Sequence, residues 1–290
     1  MALDNYSKGL VYTLLGALLW STGGLFIKLL PFDAWTILFY RSAFAGTLFG
    51  VIFWKQIRRT NRQAWINSFF YAALLITFVT STKLTTAANA IFLQYTGTAY
   101  VLLLEPLLFK TALRRVDVVT IIACFVGMGL FFFESFDPSG GLGIAIAMVS
   151  GVLLAALFLG QKRNPQEYHM SAIFLGNIWV LLIGFPAYWQ SAAPTGEEWA
   201  MLAFLGFIQI GLGYLLFTFG QRYIPATESA LLAMVEPILN PVWVLIGYGE
   251  RPSIWAALGG GLILAALAVR ILWLRYQNRR QRNIRTGVGT

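Results

Sequence analysis

ATESALLAMVEPILNPVWVLIGYGERP, residues 226–252, is the stretch on which the reading of the chain turns. It is an apolar run with Glu236 near its middle, Pro237 directly after it and Asn240-Pro241 one turn further on. A carboxyl at the centre of a lipid-spanning helix is costly, so it should face a cavity or a partner rather than lipid. Each proline lacks an N–H and crowds the carbonyl four residues back, which leaves the carbonyls of Ala233 and Pro237 free. Broken helices of this kind are tolerated in membranes where the freed groups meet protein or line water. An acid, a break and free carbonyls within one turn make the chemistry expected of a transport site.

The remainder of the chain fits a membrane setting. It has 290 residues, 58% of them hydrophobic and only 11% charged, with a mean hydropathy of +0.69. A soluble protein would need far more surface charge. Apolar runs recur along the whole length, each near the roughly 20 residues that cross a bilayer core. The net charge of +9 raises the possibility of a nucleic-acid partner. The basic residues, however, sit in short loops and a C-terminal tail, so topology explains them and no nucleic acid is expected. Cys124 is the one cysteine, so no intramolecular disulfide can form. The first apolar run is long and has no small-residue cleavage site after it, which reads as a membrane helix rather than a signal peptide.

Ten helices are expected, at 8–30, 34–54, 65–82, 86–109, 117–134, 141–160, 170–189, 199–221, 226–248 and 253–274. The tail after Leu274, polar and basic, is expected to lack structure. Lys55, Arg58, Arg59 and Arg62 follow the second helix; Lys110, Arg114 and Arg115 the fourth; Lys162 and Arg163 the sixth; Arg222 the eighth; and Arg275, Arg279, Arg280, Arg282 and Arg285 the tenth. The alternate loops are mostly acidic, with Asp33, Glu134, Asp137, Glu197, Glu198 and Glu250; Lys83 is the exception. Positive loops stay cytoplasmic, so both termini are expected inside a cell membrane, most simply a bacterial inner membrane.

The chain also repeats itself weakly. GALLWSTGGLFIK at 16–28 aligns with GVLLAALFLGQKR at 151–163, and Asn89-Ala90 with Ser229-Ala230. In that register Thr96 matches Glu236 and Tyr100 matches Asn240. Five helices per copy is an odd number, so the second copy enters the membrane upside down, as in many secondary transporters. The expected fold is therefore an all-α integral membrane protein of ten transmembrane helices in two inverted five-helix repeats. The first repeat occupies 1–137, the second 138–275, and a basic tail 276–290.

LLWSTGGLFIK at 18–28, FYR at 39–41, TTAANAIFLQYTGTAYVLLLEP at 85–106 and, above all, residues 204–253 carry a resemblance to the drug/metabolite transporter superfamily, in its ten-helix EamA type. The resemblance covers nearly the whole chain and implies export of small metabolites through a central cavity by alternating access. It does not name a substrate. Many members have proline in the fourth helix where this chain has Gly97, and an acid near that helix end where it has Lys110. Both departures imply a softer break in the first half than in the second.

Glu236 reads as a cation site, a coupling proton carrier or both; the plainer reading is a protonated acid bonded to a free carbonyl, shaping the break. Helical spacing puts Ser229, Leu232, Glu236, Asn240 and Trp243 on one face, and Asn89, Phe92, Thr96 and Tyr100 on the matched face of the fourth helix. Two facing polar and aromatic stripes could wall a cavity, or they could be ordinary interhelical hydrogen bonding. Arg41 could neutralise a substrate carboxylate, pair with a buried acid or bind a backbone carbonyl; the structural role is favoured. Lys28 reads as a snorkelling residue, and Glu105 as an interfacial acid near Lys110. Trp20, Tyr95, Tyr214 and Trp179 are aromatic candidates for the cavity wall, although aromatics in such helices more often pack or anchor. Gly127 and Gly129, with Gly259, Gly260 and Gly261, read as close helix contacts.

Nothing in the sequence points to a resident cofactor. His169 stands alone, no cysteine cluster exists to hold a metal, and no phosphate-binding loop is present. A membrane enzyme would need a nucleophile–base set at one depth, which is missing, so no enzyme activity is expected. The expectation is a secondary exporter of amino acids or related amphipathic compounds, with protons as the coupling ion if there is one. A broad exporter of cationic or aromatic drugs is the alternative, and a receptor or channel is a remoter one. The expected partners are a small-molecule substrate, protons and the bilayer, with the oligomeric state open.

Overall fold

The computed structural model describes residues 4–110, 112–133, 138–224 and 226–286, and among these it is helical with no strand. Eight segments are long and apolar enough to cross a membrane: Asn5–Leu29, Ala34–Ile52, Arg62–Leu84, Ala87–Phe109, Gly141–Arg163, Gln166–Gln190, Gly196–Gly220 and Ile254–Gln277. The other two expected helices are Arg115–Leu130, at 16 residues, and the 226–248 stretch, which is divided into Ala226–Ala233 and Val235–Tyr248. Large apolar side chains cover the outside; Val51, Leu107, Trp189 and Ile246 are each more than 70% exposed. Water would not tolerate such a surface, and lipid would.

The helix starts follow from local chemistry. Asp4, Asp33, Asn61, Thr86 and Thr195 each accept a backbone N–H from the first turn they precede. Gly249, with φ of 80°, ends the Val235–Tyr248 helix in the left-handed conformation that glycine adopts freely. The last helix differs from expectation: it runs on to Thr286, through the segment expected to be unstructured. Residues 275–286 contain neither Gly nor Pro, and Arg and Gln are good helix formers, so nothing stops it before Gly287. Glu134 and Asp137 lie outside the described residues.

The core sits where Arg62–Leu84 packs on Pro138–Arg163 and where His169–Gln190 packs on both Ala34–Ile52 and Arg62–Leu84. Ile37, Leu38, Val79, Ile144, Ala147 and Ile173 are fully or almost fully buried there. Glycines set the closest approaches. A Cβ on Gly127 would stand 2.8 Å from the Gly259 carbonyl, and one on Gly259 only 2.6 Å from the Gly127 carbonyl. Gly260 is filled by the Phe92 ring, whereas Gly129 and Gly261 have nothing within 4 Å and are not contact glycines. Gly127→Ala is therefore expected to cost about 1–3 kcal/mol through forced backbone movement. Gly261→Ala should be neutral. Thermal unfolding in detergent compares the two.

Asp33 offers a pH-dependent check on a helix start. Its partial burial would raise its pKa, but bonds from the Thr36 hydroxyl and from the Thr36 and Trp35 N–H groups outweigh that and hold it below the usual carboxylate value. A lowered folded value means the cap contributes fully above the ordinary aspartate range and is lost as pH falls through the folded value. Asp33→Ala is expected to cost about 1 kcal/mol at neutral pH. The gap between its melting curve and that of the unchanged protein should close only as pH falls through that lowered folded value, where the cap becomes protonated.

Candidate functional site

The chain breaks at Met234, between Ala226–Ala233 and Val235–Tyr248, one turn ahead of Pro237. Pro237 cannot bond back to Ala233, and it is the Tyr95 hydroxyl that stands 3.0 Å from the Ala233 carbonyl oxygen. The same hydroxyl lies 2.9 Å from Glu236 Oε2. A phenol carries one proton, so it cannot fully serve both acceptors. If Glu236 is a carboxylate, it accepts the Tyr95 O–H hydrogen bond and the Ala233 carbonyl loses its donor. If Glu236 is protonated, its own O–H donates to the phenol oxygen and Tyr95 donates to Ala233. The arrangement thus has room for one extra proton, and that proton decides whether the carbonyl at the break is satisfied. Glu236, Tyr95, Trp20 and Tyr214 are each half-buried.

A second polar centre faces the first. Arg41, from Ala34–Ile52, is 3% exposed and gives Nη2–H to Gln209 Oε1 at 2.9 Å. Gln209 Nε2 donates in turn to the Trp20 carbonyl at 3.0 Å, beside the turn at Thr22 that separates Asn5–Ser21 from Gly23–Leu29. Gln209 is carried on a nine-residue π-helical stretch, Phe204–Leu212, and such stretches are frequent at functional sites. Gly23 makes the approach possible, because a Cβ there would sit 2.8 Å from Gln209 Nε2. Arg41 is near enough to Glu236 and to buried Tyr71 for each to feel its charge. The Tyr71 hydroxyl lies 3.5 Å from Asn177 Nδ2.

Arg41, Tyr71 and Tyr95 precede residue 133, and Gln209 and Glu236 follow residue 141. That division matches the comparisons. The model of the EamA-like transporter family matches twice, over residues 7–133 and 141–272. The chain belongs to the EamA-like transporter family. The two polar centres therefore lie where one repeat meets the other. Among similar proteins are an uncharacterized transporter of Archaeoglobus fulgidus, 23% identical over 88% of this chain and 93% of its own, and one of Bacillus subtilis, 26% identical over 75% and 72%. A biotin transporter of Escherichia coli strain K12 is 23% identical over 60% of this chain and 62% of its own. One crystal structure shares the fold with a TM-score of 0.66, at 18% identity, over 92% of this chain and 98% of that one. These are transporters by family and by name, not enzymes, and the chain is a multi-pass membrane protein.

In this EamA-like transporter the matched stripe of the fourth helix does not face Glu236. Asn89 Nδ2 bonds to the Thr85 hydroxyl, Phe92 packs on Gly260 and Phe131, the Thr96 hydroxyl returns to the Leu93 carbonyl beside Gly151, and Tyr100 lies on Met128 and Phe125. Those groups meet other neighbours, and the face meeting Glu236 is the one carrying Tyr95. On the other side, Asn240 is buried against Gly24, and Trp243 Nε1 donates to the Ser21 hydroxyl at 2.9 Å. Ser229, Pro237 and Pro241 are buried as well. Tyr214 and Trp20 face each other at 6.5 Å. Trp179 is elsewhere, stacked on Phe69 with its N–H on the Ser68 hydroxyl.

Gln209, Tyr71 and Asn177 are not among the sequence candidates. For Gln209 a signal existed, an amide inside the apolar run FLGFIQIGLGYLLF. The two ends of the bundle are pinned by charge. Lys28, expected to snorkel, instead pairs with Glu250 at 2.6 Å, and Glu250 also accepts the Ala87 N–H. Glu105 pairs with Lys162 rather than Lys110, and Asp117 with Arg270 at 2.7 Å. A groove of about 730 Å³ lies apart from Glu236, lined by Gly46, Thr47, Gly50, Trp54, Phe174 and Leu181 between Ala34–Ile52 and His169–Gln190.

Proposed function

We propose that this EamA-like transporter is a secondary carrier that exports small metabolites, amino acids or related amphipathic compounds, by alternating access of two inverted repeats, with protons as the coupling ion. The observation that carries the reading is the Tyr95 hydroxyl set between Glu236 and the Ala233 carbonyl. It links a protonatable group to the broken helix and joins the two repeats through one phenol. A carrier is coupled only when its ligands bind its two states differently, and a carbonyl that gains or loses its donor with one proton is such a difference. The relative named a biotin transporter supports a small-metabolite substrate.

Counterflow of a metabolite panel in proteoliposomes, with and without an imposed pH gradient, tests the proposal. Uptake driven by the gradient is the expected result; carriage indifferent to the gradient would remove the proton. A reporter fused after Tyr276 should read cytoplasmic in a bacterial inner membrane, since arginines lie on both sides of that point. A second reading, a broad exporter of cationic or aromatic drugs, is favoured by a half-buried acid against Tyr95 and by the half-buried Trp20–Tyr214 ring pair. Competition by aromatic cations stronger than by any metabolite would select it.

A further inference from the structure

We infer that the groove between Ala34–Ile52 and His169–Gln190 holds one acyl chain of an anionic phospholipid, with the lipid phosphate at Arg58 beside Trp54. The groove is apart from Glu236. The inference uses only that the chain spans a membrane, and it holds whatever the protein carries. Along the first helix the lining runs from Ser42 to Val51, about 14 Å at 1.5 Å per residue, and then on to Trp54 and Ile57. One leaflet is half of a hydrocarbon core of roughly 30 Å, so the groove has the depth of a single acyl chain. It begins near the middle of Ala34–Ile52 and ends at the basic loop. Glycines make this hollow rather than a helix contact. A Cβ on Gly46 would meet only Asn177 Cβ, at 3.6 Å, and one on Gly50 only the Phe174 ring edge, at 3.3 Å. On Gly176, a contact glycine of the second helix, a Cβ would stand 2.5 Å from Tyr71. The rim faces outward, with Val51 75% and Trp54 56% exposed. An apolar hollow open to lipid forfeits dispersion contacts unless something slender and apolar fills it.

Charge at the mouth chooses the headgroup. The Arg58 guanidinium carbon lies over the Trp54 ring, 4.7 Å from its centroid. Stacking occupies the face of the guanidinium and leaves its N–H edge for two phosphate oxygens. Tryptophan is also the side chain that settles at headgroup level. Lys55, Arg58, Arg59 and Arg62 fall within eight residues of sequence. Of these four, only Arg59 has an acid partner among the described residues, the exposed Glu167 at 3.4 Å. A phospholipid with net negative charge is drawn to such a cluster. A zwitterionic one would bring its own ammonium among like charges. A second copy of the chain, packed symmetrically through the same groove, would bring a second basic cluster to the same depth and is disfavoured for the same reason.

The test is native mass spectrometry of the detergent-purified protein with added phosphatidylglycerol, phosphatidylcholine of the same acyl chains, or glycerophosphoglycerol, the first headgroup without its tails. The tightest-bound phosphatidylglycerol should be retained about 10- to 30-fold over phosphatidylcholine, at about fivefold for each unpaired basic group near the phosphate. Arg58→Gln should lower retention of phosphatidylglycerol about fivefold and leave phosphatidylcholine unchanged. Gly46→Leu, which puts a side chain into the groove, should lower both lipids at least about tenfold and keep their ratio, because displaced methylenes lose their burial. Equal retention of the two lipids overturns the inference. So does tail-less headgroup bound as tightly as the lipid, which would make the basic loop a free-phosphate site. Phosphatidylglycerol retained in full by Gly46→Leu would mean ordinary boundary lipid, and a dimer lost in that variant would mean that a second copy fills the groove; either overturns it. If Gly46→Leu fails to insert, Ala43→Leu on the same groove floor replaces it, and the lipid against its tail-less headgroup decides in the unchanged protein. No arm reads transport, so the carrier reading stands or falls separately.

Discussion

Glu236→Gln should abolish pH-driven transport while leaving substrate exchange measurable. The amide has nearly the size of the acid and, like the protonated form, can give an N–H to the Tyr95 oxygen while Tyr95 donates to the Ala233 carbonyl. It therefore imitates one protonation state and cannot reach the other. Gradient-driven accumulation is expected to fall at least tenfold, equivalent to about 1.4 kcal/mol of lost bias between states. Exchange at equal pH on both sides should change by less. Tyr95→Phe separates the two acceptors differently: it leaves both Glu236 and the Ala233 carbonyl without the phenol, so it should impair exchange as well as coupling. A Glu236→Gln protein that is folded and inserted, and silent in both assays, would reduce Glu236 to a brace for the helix break.

Glu236 is legible in the sequence and Tyr95 only as one of four aromatic candidates, while their pairing is not, for a physical reason. A carboxyl beside two prolines in an apolar run is expensive wherever it lies, so its position is an anomaly in the sequence. A tyrosine in a membrane helix is ordinary, and nothing local marks Tyr95 as the one that reaches across the seam to Glu236. The repeat register sets Thr96 against Glu236, but the Thr96 hydroxyl returns to the Leu93 carbonyl and Tyr95, one residue earlier, meets the acid. Gln209 shows the same limit more sharply. Its aim depends on the π-helical stretch from Phe204 to Leu212, and a pattern read at 3.6 residues per turn places it wrongly. Charge gave the ends of the helices but not their pairing: Lys28 and Glu250 are 222 residues apart, and their contact follows from how the first and ninth helices cross, which no local signal encodes.

The pairing at that end leads to the second large effect. Lys28 gives its ammonium to Glu250 at 2.6 Å and to the Thr85 carbonyl at 2.7 Å, and Glu250 accepts the Ala87 N–H at 2.7 Å. Gly23–Leu29, the start of Ala87–Tyr95 and the end of Val235–Tyr248 are thereby fastened together, across the seam between the repeats. The two side chains are 11% and 16% exposed. Breaking a fully buried pair costs about 3–5 kcal/mol, and partial access of water brings this one to roughly 1–3 kcal/mol. If alternating access requires this end to part, the pair is the closed-state contact that must be broken in each cycle. Glu250→Gln keeps an oxygen for Ala87 but removes the charge. With a cysteine at buried Ala88, in a Cys124→Ser background, labelling by a membrane-impermeant maleimide should then quicken about 10- to 100-fold, the ratio that such an energy sets between closed and open populations. Lys28→Glu combined with Glu250→Lys should restore only part of the protection, because the exchanged side chains recover the ion pair but neither the Thr85 nor the Ala87 bond. Unchanged labelling in Glu250→Gln would show that this end stays shut without the pair, and alternating access would then have to open somewhere else.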